Sequence, residues 1–184
     1  MRALFVVTDG FEDIEYTATR DVLKRGGIST VTVSGRLHDR TRPIVGKEGA
    51  EVVSYEEIDA IDPSDFDLLV IPGGPQVPEL KANPKVLALV KWYMAHPQKY
   101  VAAICAAPTI LGELGYLKGR DYTVFPTMDG DFGGRFHRQY AVVDGHLITG
   151  DGPAAAIAFG LAILKTVLGE DVRDQVASGM FYQD

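Results

Sequence analysis

Short apolar runs cut off by glycine, proline or a polar turn constrain the fold of this chain more than any other feature. Ala3-Leu-Phe-Val-Val7, within the segment Arg2 to Thr8, stops at Asp9-Gly10; Asp67 to Ile71 stops at Pro72-Gly73-Gly74; Tyr100 to Ile104 stops at Cys105. Such nearly continuous runs are how strands of a parallel sheet read, because helices cover both faces and leave no polar side. Ile28 to Ser34, β-branched and alternating, is a further strand of the same kind.

The intervening segments are helical in period. From Glu12 to Arg25, Ile14, Ala18, Val22 and Leu23 share one face, and Gly26-Gly27 ends the run. Asn83-Pro84 opens a second helix with proline at its first position, carrying Val86, Leu87, Val90 and Met94 up to His96-Pro97. Pro108 to Leu114 reads as a helix and Tyr122 to Phe125 as a strand. Tyr140 to Thr149 reads as a hairpin turned at Asp144-Gly145, and Pro153 to Leu168 as a final helix capped by Gly169. This alternation predicts an α/β, doubly wound sandwich: a mostly parallel central sheet, helices on both faces, right-handed crossovers, and a small edge hairpin over Arg36 to Val53. Arg36, Arg40 and Arg42 on that hairpin read as a solvated edge that discourages strand pairing. With no repeat, low-complexity stretch or linker, 1–184 reads as a single domain whose site lies at the carboxyl ends of the strands.

The net charge of -7 disfavours nucleic acid and anionic membrane surfaces as partners. No apolar run approaches the ~18 residues of a membrane span, and the N-terminus lacks the pattern of a secretory leader. A single cysteine cannot form an internal disulfide. These features predict a cytoplasmic protein acting on small molecules. No G-x-G-x-x-G or phosphate-loop signature follows a strand, so no nucleotide cofactor is expected. Asp129-Gly-Asp131 lacks the other oxygen ligands of a calcium loop, and no histidine has metal-ligand spacing. No metal is expected.

Three loops leave the predicted edge: Asp9-Gly-Phe-Glu-Asp-Ile-Glu15, Pro72-Gly-Gly-Pro75 and Ile104-Cys-Ala-Ala-Pro108. In the third, a buried strand passes into a helix within about three residues, flanked by small Ala103, Ala106 and Ala107, which is the pattern of a nucleophile elbow with Cys105 at its tip. The following helix start would lower the thiol pKa below its usual value of ~8.5. Gly73 and Gly74 suit the close approach of bare backbone N–H groups, and with the Ala106 N–H they are the candidate oxyanion hole. Glu15, turned back toward a thiolate, would hold its proton and act as general acid and base. By default a lone cysteine after a strand is an inert small hydrophobe, and acids at a helix start simply offset its dipole. The convergence of three unusual loops on one sheet edge favours chemistry.

At these residues the sequence resembles the ThiJ/PfpI superfamily, in the branch of the Parkinson-disease-associated deglycase and the bacterial ThiJ-like proteins. The resemblance spans nearly the whole chain and is carried by Asp9 to Glu15, Val70-Ile-Pro-Gly-Gly74, Ala102-Ala-Ile-Cys-Ala-Ala-Pro108, and Gly152-Pro153. It implies a flavodoxin-like sandwich, usually a homodimer, with Cys105 as nucleophile and Glu15 as its protonated partner. The activities it implies are cofactor-free glyoxalase or deglycase chemistry on small 2-oxoaldehydes. Oxidative-stress sensing through a cysteine sulfinate, or chaperone-like behaviour, is the alternative. Three departures stand out. Ala106 occupies the place of a histidine that protease-like and some glyoxalase-like members carry after the cysteine, which makes a peptidase a poor expectation; Phe125 precedes Pro126 where the branch often has histidine; and Gly150-Asp151 replaces a Ser-Arg pair. Asp151 is thus a candidate modifier of the site. His137, in the irregular segment after Phe125, is the candidate substitute base, whereas His38 and His146 fall in turns and His96 at a helix end.

Overall fold

A computed structural model describes residues 1–37, 42–54 and 56–183. In chain order the strands are β1 (Arg2–Val7), β2 (Ser29–Ser34), β3 (Ile44–Val45), β4 (Glu51–Val52), β5 (Leu68–Ile71), β6 (Tyr100–Ile104), β7 (Asp121–Tyr122), β8 (Arg135–Phe136), β9 (Ala141–Asp144) and β10 (Leu147–Gly150). The helices are α1 (Asp13–Arg25), α2 (Val77–Ala82), α3 (Pro84–Met94), α4 (Pro108–Glu113), α5 (Ala156–Leu168) and α6 (Glu170–Gly179).

Six strands form the main sheet in the order β2-β1-β5-β6-β10-β9, parallel except for β9 against β10. β1 is buried from Ala3 onward, and β5 throughout. The chain leaves β1 in one direction to β2 and then returns across it to β5, so the strand order reverses between β1 and β5. Loops diverge at such a point and leave a crevice beyond the strand ends. The expected α/β, doubly wound architecture is the one observed.

Glycine notches set the approach of α1 to α5. A Cβ at Gly160 would come within 2.9 Å of Val22, and one at Gly26 within 2.4 Å of a Leu164 methyl. On α3, Val86, Val90 and Tyr93 are fully buried, and the Asn83 side chain caps it by accepting the Lys85 N–H at 3.0 Å.

Several elements differ from the sequence reading. The segment predicted as a strand from Tyr122 to Phe125 contributes only Tyr122 to β7, which pairs with β8 in a separate small sheet. Beyond it, the Thr123 N–H goes to Thr149 Oγ1 at 2.9 Å and the Phe125 N–H to the Cys105 carbonyl at 2.9 Å, so these residues brace the elbow. The last long helix begins with a 3-10 turn at Pro153–Ala155, and Gly169, at φ +98°, separates it from α6, which the sequence reading did not anticipate. The helix α2 was likewise unanticipated.

The hairpin of β3 and β4 forms a two-stranded sheet of its own, laid over the end of β1: the Gly10 N–H donates to the Val45 carbonyl at 2.8 Å and the Lys47 N–H to the Phe11 carbonyl at 2.9 Å. Asp13 holds its turn by accepting the N–H groups of Glu48 and Ala50. Arg36 is not a solvated edge residue. It is 2% exposed and its guanidinium forks onto Asp9, at 3.0 Å from Nε to Oδ2 and 2.5 Å from Nη2 to Oδ1. It also donates to the carbonyls of Arg42 and Pro43. Arg40 and His38 lie outside the described residues. No helix among those described is long and apolar enough to cross a membrane.

Candidate active site

β6 ends at Ile104, and Cys105 turns the chain with a φ of +63°, a conformation that costs a non-glycine residue of order 1–3 kcal/mol and needs an over-determined setting. That setting is visible on both sides. The Cys105 N–H donates to the Gly150 carbonyl at 2.8 Å, its carbonyl takes the Phe125 N–H, and α4 starts three residues later. The expected elbow is present.

Backbone packs on backbone around it. A Cβ at Gly73 would lie 2.7 Å from the Cys105 Cβ and 2.9 Å from the Ala106 nitrogen. A Cβ at Gly74, whose φ is +96°, would lie 2.5 Å from the Gly10 carbonyl oxygen. Only glycines allow the three loops to close up this far. Gln76, 1% exposed, ties them: its side-chain amide donates to the carbonyls of Pro72 at 2.7 Å and Gly73 at 3.0 Å, while its own carbonyl takes the Thr8 N–H at 2.7 Å. No sequence signal distinguishes this glutamine.

Glu15, in the first turn of α1, is completely buried and points back at the elbow. Its Oε2 accepts the Gly73 N–H at 2.7 Å. Burial, resisted by that hydrogen bond, by the neighbouring Cys105 thiol and by the more distant Lys47, pushes its pKa up to about 7. Burial also pushes the Cys105 thiol up, and the Glu15 carboxylate adds to this by charge and hydrogen bonding; the N–H groups of Ala106 and Gly74 pull it down. The expectation of a thiol held ionised by a helix end is therefore corrected. α4 is a six-residue helix, and the thiol's acidity depends on whether Glu15 holds its proton. The Gly73 N–H is committed to Glu15, which leaves Gly74 and Ala106 as the amides that face the sulfur.

A cavity of about 720 Å³ opens in front of Cys105. Its polar rim is Glu12, Lys47, Lys81 and Glu113; its apolar lining includes Val77, Pro78, Phe125, Met128, Phe132 and Pro153. Lys81 pairs with Glu113, and Lys47 with Glu12 at 3.5 Å and Glu48 at 3.3 Å. Thr109 Oγ1 donates to the Ala106 carbonyl at 2.7 Å and fixes the peptide that follows the nucleophile. Thr109, Met128 and Phe132 were not singled out from sequence, because their segments carry no signature.

Two candidates lie elsewhere. His137 Nε2 is 2.6 Å from Asp121 Oδ1, its backbone N–H donates to the Tyr122 carbonyl, and it does not line the cavity. Asp151 follows the Gly150 that holds the elbow, but its N–H goes to the Tyr140 carbonyl at 3.3 Å and its carboxyl, pushed up by burial, faces Arg138. It too is absent from the cavity wall. Among the described residues no three His, Cys, Asp or Glu side chains gather as a metal cradle would require; Asp129 instead accepts the Tyr122 hydroxyl at 2.6 Å.

Comparison with known proteins agrees with this geometry. A family model described as the DJ-1/PfpI family matches residues 1–166. A deglycase of Thermococcus kodakarensis is 34% identical over 169 residues, covering 90% of this chain and 98% of the relative. A Schizosaccharomyces pombe protein named glutathione-independent glyoxalase DJ-1 is 30% identical over 182 residues, covering 93% of each. The solved structure of Schizosaccharomyces pombe DJ-1 superposes with a TM-score of 0.90 at 26% identity over 100% of both chains.

Proposed function

Because this chain belongs to the DJ-1/PfpI family, we propose that it is a cofactor-free enzyme that converts small 2-oxoaldehydes into 2-hydroxy acids through Cys105. The observation that carries the reading is the pairing of a buried, proton-retaining Glu15 with the Cys105 thiol at the floor of the cavity, where the Gly74 and Ala106 amides converge on the sulfur. The names of the deglycase and glyoxalase relatives support it.

In the reactive form the sulfur is anionic and Glu15 holds the proton. The thiolate adds to the aldehyde carbon, a C–S bond forms, and the carbonyl π pair becomes an oxyanion held by the Gly74 and Ala106 N–H groups. Glu15 protonates that oxygen and, now a carboxylate, removes the hydrogen on the same carbon. The electron pair moves onto the adjacent ketone oxygen to give an enediolate; the C1 hydroxyl proton passes to that oxygen, and Glu15 returns the abstracted proton to the former ketone carbon, leaving the thioester of a 2-hydroxy acid. Water cleaves the C–S bond and releases the hydroxy acid and the thiol. One carbon is oxidised and its neighbour reduced, so one water is the only co-reactant. Peptide cleavage is disfavoured: Ala106 follows the nucleophile and His137 is turned to Asp121.

We extend the reading to a single-domain cytoplasmic homodimer that takes small carbonyl substrates and neither nucleic acid nor membrane. The test is lactate formation from methylglyoxal by the wild type, Cys105→Ala and Glu15→Gln. Loss in both variants is expected; equal rates would reject the mechanism. The same two amides and protonated carboxyl would also hold a Cys105 sulfinate, which makes redox sensing the second reading. Mild peroxide followed by intact mass separates the two: a stable gain of two oxygens with negligible turnover favours sensing.

A further inference from the structure

Methylglyoxal, a three-carbon compound, would leave most of the cavity empty. A volume of about 720 Å³ falls within the range of about 300–1,000 Å³ typical of pockets that enclose drug-sized ligands. The surplus space is not ringed by free charge, since both rim lysines face carboxylates. An anionic substituent would have to compete with those acids. Much of the remaining lining is apolar, and its large flexible or aromatic side chains, Phe125, Met128 and Phe132, come from one short segment.

The placement of these three is specific. Phe125, at the position where an imidazole would be expected from family resemblance, is held by its N–H on the Cys105 carbonyl. The Met128 N–H closes a turn on the Phe125 carbonyl at 2.7 Å, which sets both side chains on the cavity. Met128 is 46% exposed, a large apolar surface left wet beside a reactive group. The Phe132 ring sits in the notch at Gly112 of α4, where a Cβ would come within 2.4 Å of it. A flexible thioether lining the same cavity as two aromatic rings is suited to closing on a flat apolar group.

Building on the thiol chemistry proposed above, we infer that the preferred substrates are 2-oxoaldehydes bearing a flat, apolar substituent of about aryl size, and that Phe125, Met128 and Phe132 form the subsite that receives it. The replacement of a base by Phe125 then exchanges a proton-transfer group for substrate contact. Discrimination between a methyl and a phenyl substituent would come from this wall, while Cys105 and Glu15 act on the carbonyl pair common to both.

The experiment compares kcat/KM for phenylglyoxal and methylglyoxal, with mandelate and lactate followed by NMR, in the wild type, Phe132→Ala and Met128→Ser. The wild type should favour phenylglyoxal by at least about tenfold, the scale on which apolar pockets separate substrates, and the ratio should fall toward one in each variant. A wild-type ratio at or below one, or a ratio that survives both substitutions, would overturn the subsite. The exposed Met128 keeps the test usable if Phe132→Ala fails to fold. Turnover of neither compound would reject the catalytic reading, and alkylation of Cys105 by N-benzyl-iodoacetamide against iodoacetamide then decides the subsite alone. A faster rate with the benzyl reagent, reduced in Met128→Ser, supports it; an equal or slower rate overturns it.

Discussion

Glu15 and Cys105 are coupled inside the protein: one carboxylate oxygen of Glu15 accepts the Gly73 N–H at 2.7 Å, and the carboxylate's negative charge opposes ionisation of the neighbouring thiol. Burial alone would keep both groups neutral, and ionising either makes the other harder to ionise. The pair therefore carries at most one negative charge over the physiological range.

Alkylation of Cys105 should report this as two steps. The rate should rise with pH through a midpoint near 7, where the pair loses its first proton, reach a plateau set by the fraction of charge on sulfur, and rise again only in strong alkali. Glu15→Gln removes the carboxylate charge that opposes thiol ionisation, so its profile should collapse to one step, below the second step of the wild type. Iodoacetamide kinetics across pH, read by intact mass, check both profiles. A Glu15→Gln profile unchanged from wild type would show that the two groups are not coupled.

The same residue makes stability fall with pH. In the unfolded chain Glu15 releases its proton near its ordinary value of 4.5, whereas in the fold it holds it to about 7. Between these values the native state binds more protons than the unfolded state, so its stability declines as pH rises. The contribution is fully present below about 4.5 and lost by the time pH passes about 7, a difference of roughly 3 kcal/mol. Urea denaturation at pH 5 and pH 8 should show this decline in the wild type, with its Glu15 share absent in Glu15→Gln.

Gly74 should tolerate no side chain. Its positive φ and the 2.5 Å approach of a Cβ to the Gly10 carbonyl act together, and Gly74→Ala is expected to cost about 2–4 kcal/mol. Gly27→Ala is the control, since Gly27 also has positive φ (+83°) but nothing within 4 Å of an added Cβ. Its cost should stay near 1 kcal/mol. Denaturant midpoints for the two variants separate strain from collision.

What could be read in the sequence was what local pattern controls. The buried runs at Ala3–Val7 and Leu68–Ile71 had no alternative to a covered parallel sheet, and the three loops at its edge followed from their order. Glu15 and Cys105 could be paired because α1 and β6 must start and end at that edge. Gln76 and Thr109 were illegible because a polar side chain bonded to backbone carbonyls leaves no periodic or spacing signal. The burial of Arg36 was hidden for another reason: its partner Asp9 lies 27 residues earlier, and only the return of the hairpin brings them together. The acidity of the thiol was misread because a carboxylate's effect depends on its own proton, a property of the pair that neither loop shows alone.

Arg36 offers a test of how the hairpin supports the site. Burial works against ionising Asp9, but the hydrogen bonds from Arg36 and the Val45 N–H, with the charges of Arg36 and Arg42, more than offset it, so the carboxyl pKa lies below its ordinary value. Removing the guanidinium leaves Asp9 with the Val45 N–H and the exposed Arg42 and strips donors from the Arg42 and Pro43 carbonyls. Breaking a buried pair from one side costs about 3–5 kcal/mol, and the partial exposure of Asp9 places Arg36→Met toward the lower end of that range. The loss should shrink on acidification toward the Asp9 pKa, because protonating Asp9 weakens the pair in the wild type as well. The damage should also reach catalysis. Gly10 is bonded to Val45 and Lys47 to the Phe11 carbonyl, so a loosened hairpin takes the Glu12–Lys47 rim with it. Arg36→Met should therefore raise KM more than it lowers kcat, leaving the alkylation midpoint near pH 7 in place, while a variant with wild-type stability and KM would show that the ion pair is incidental to the site.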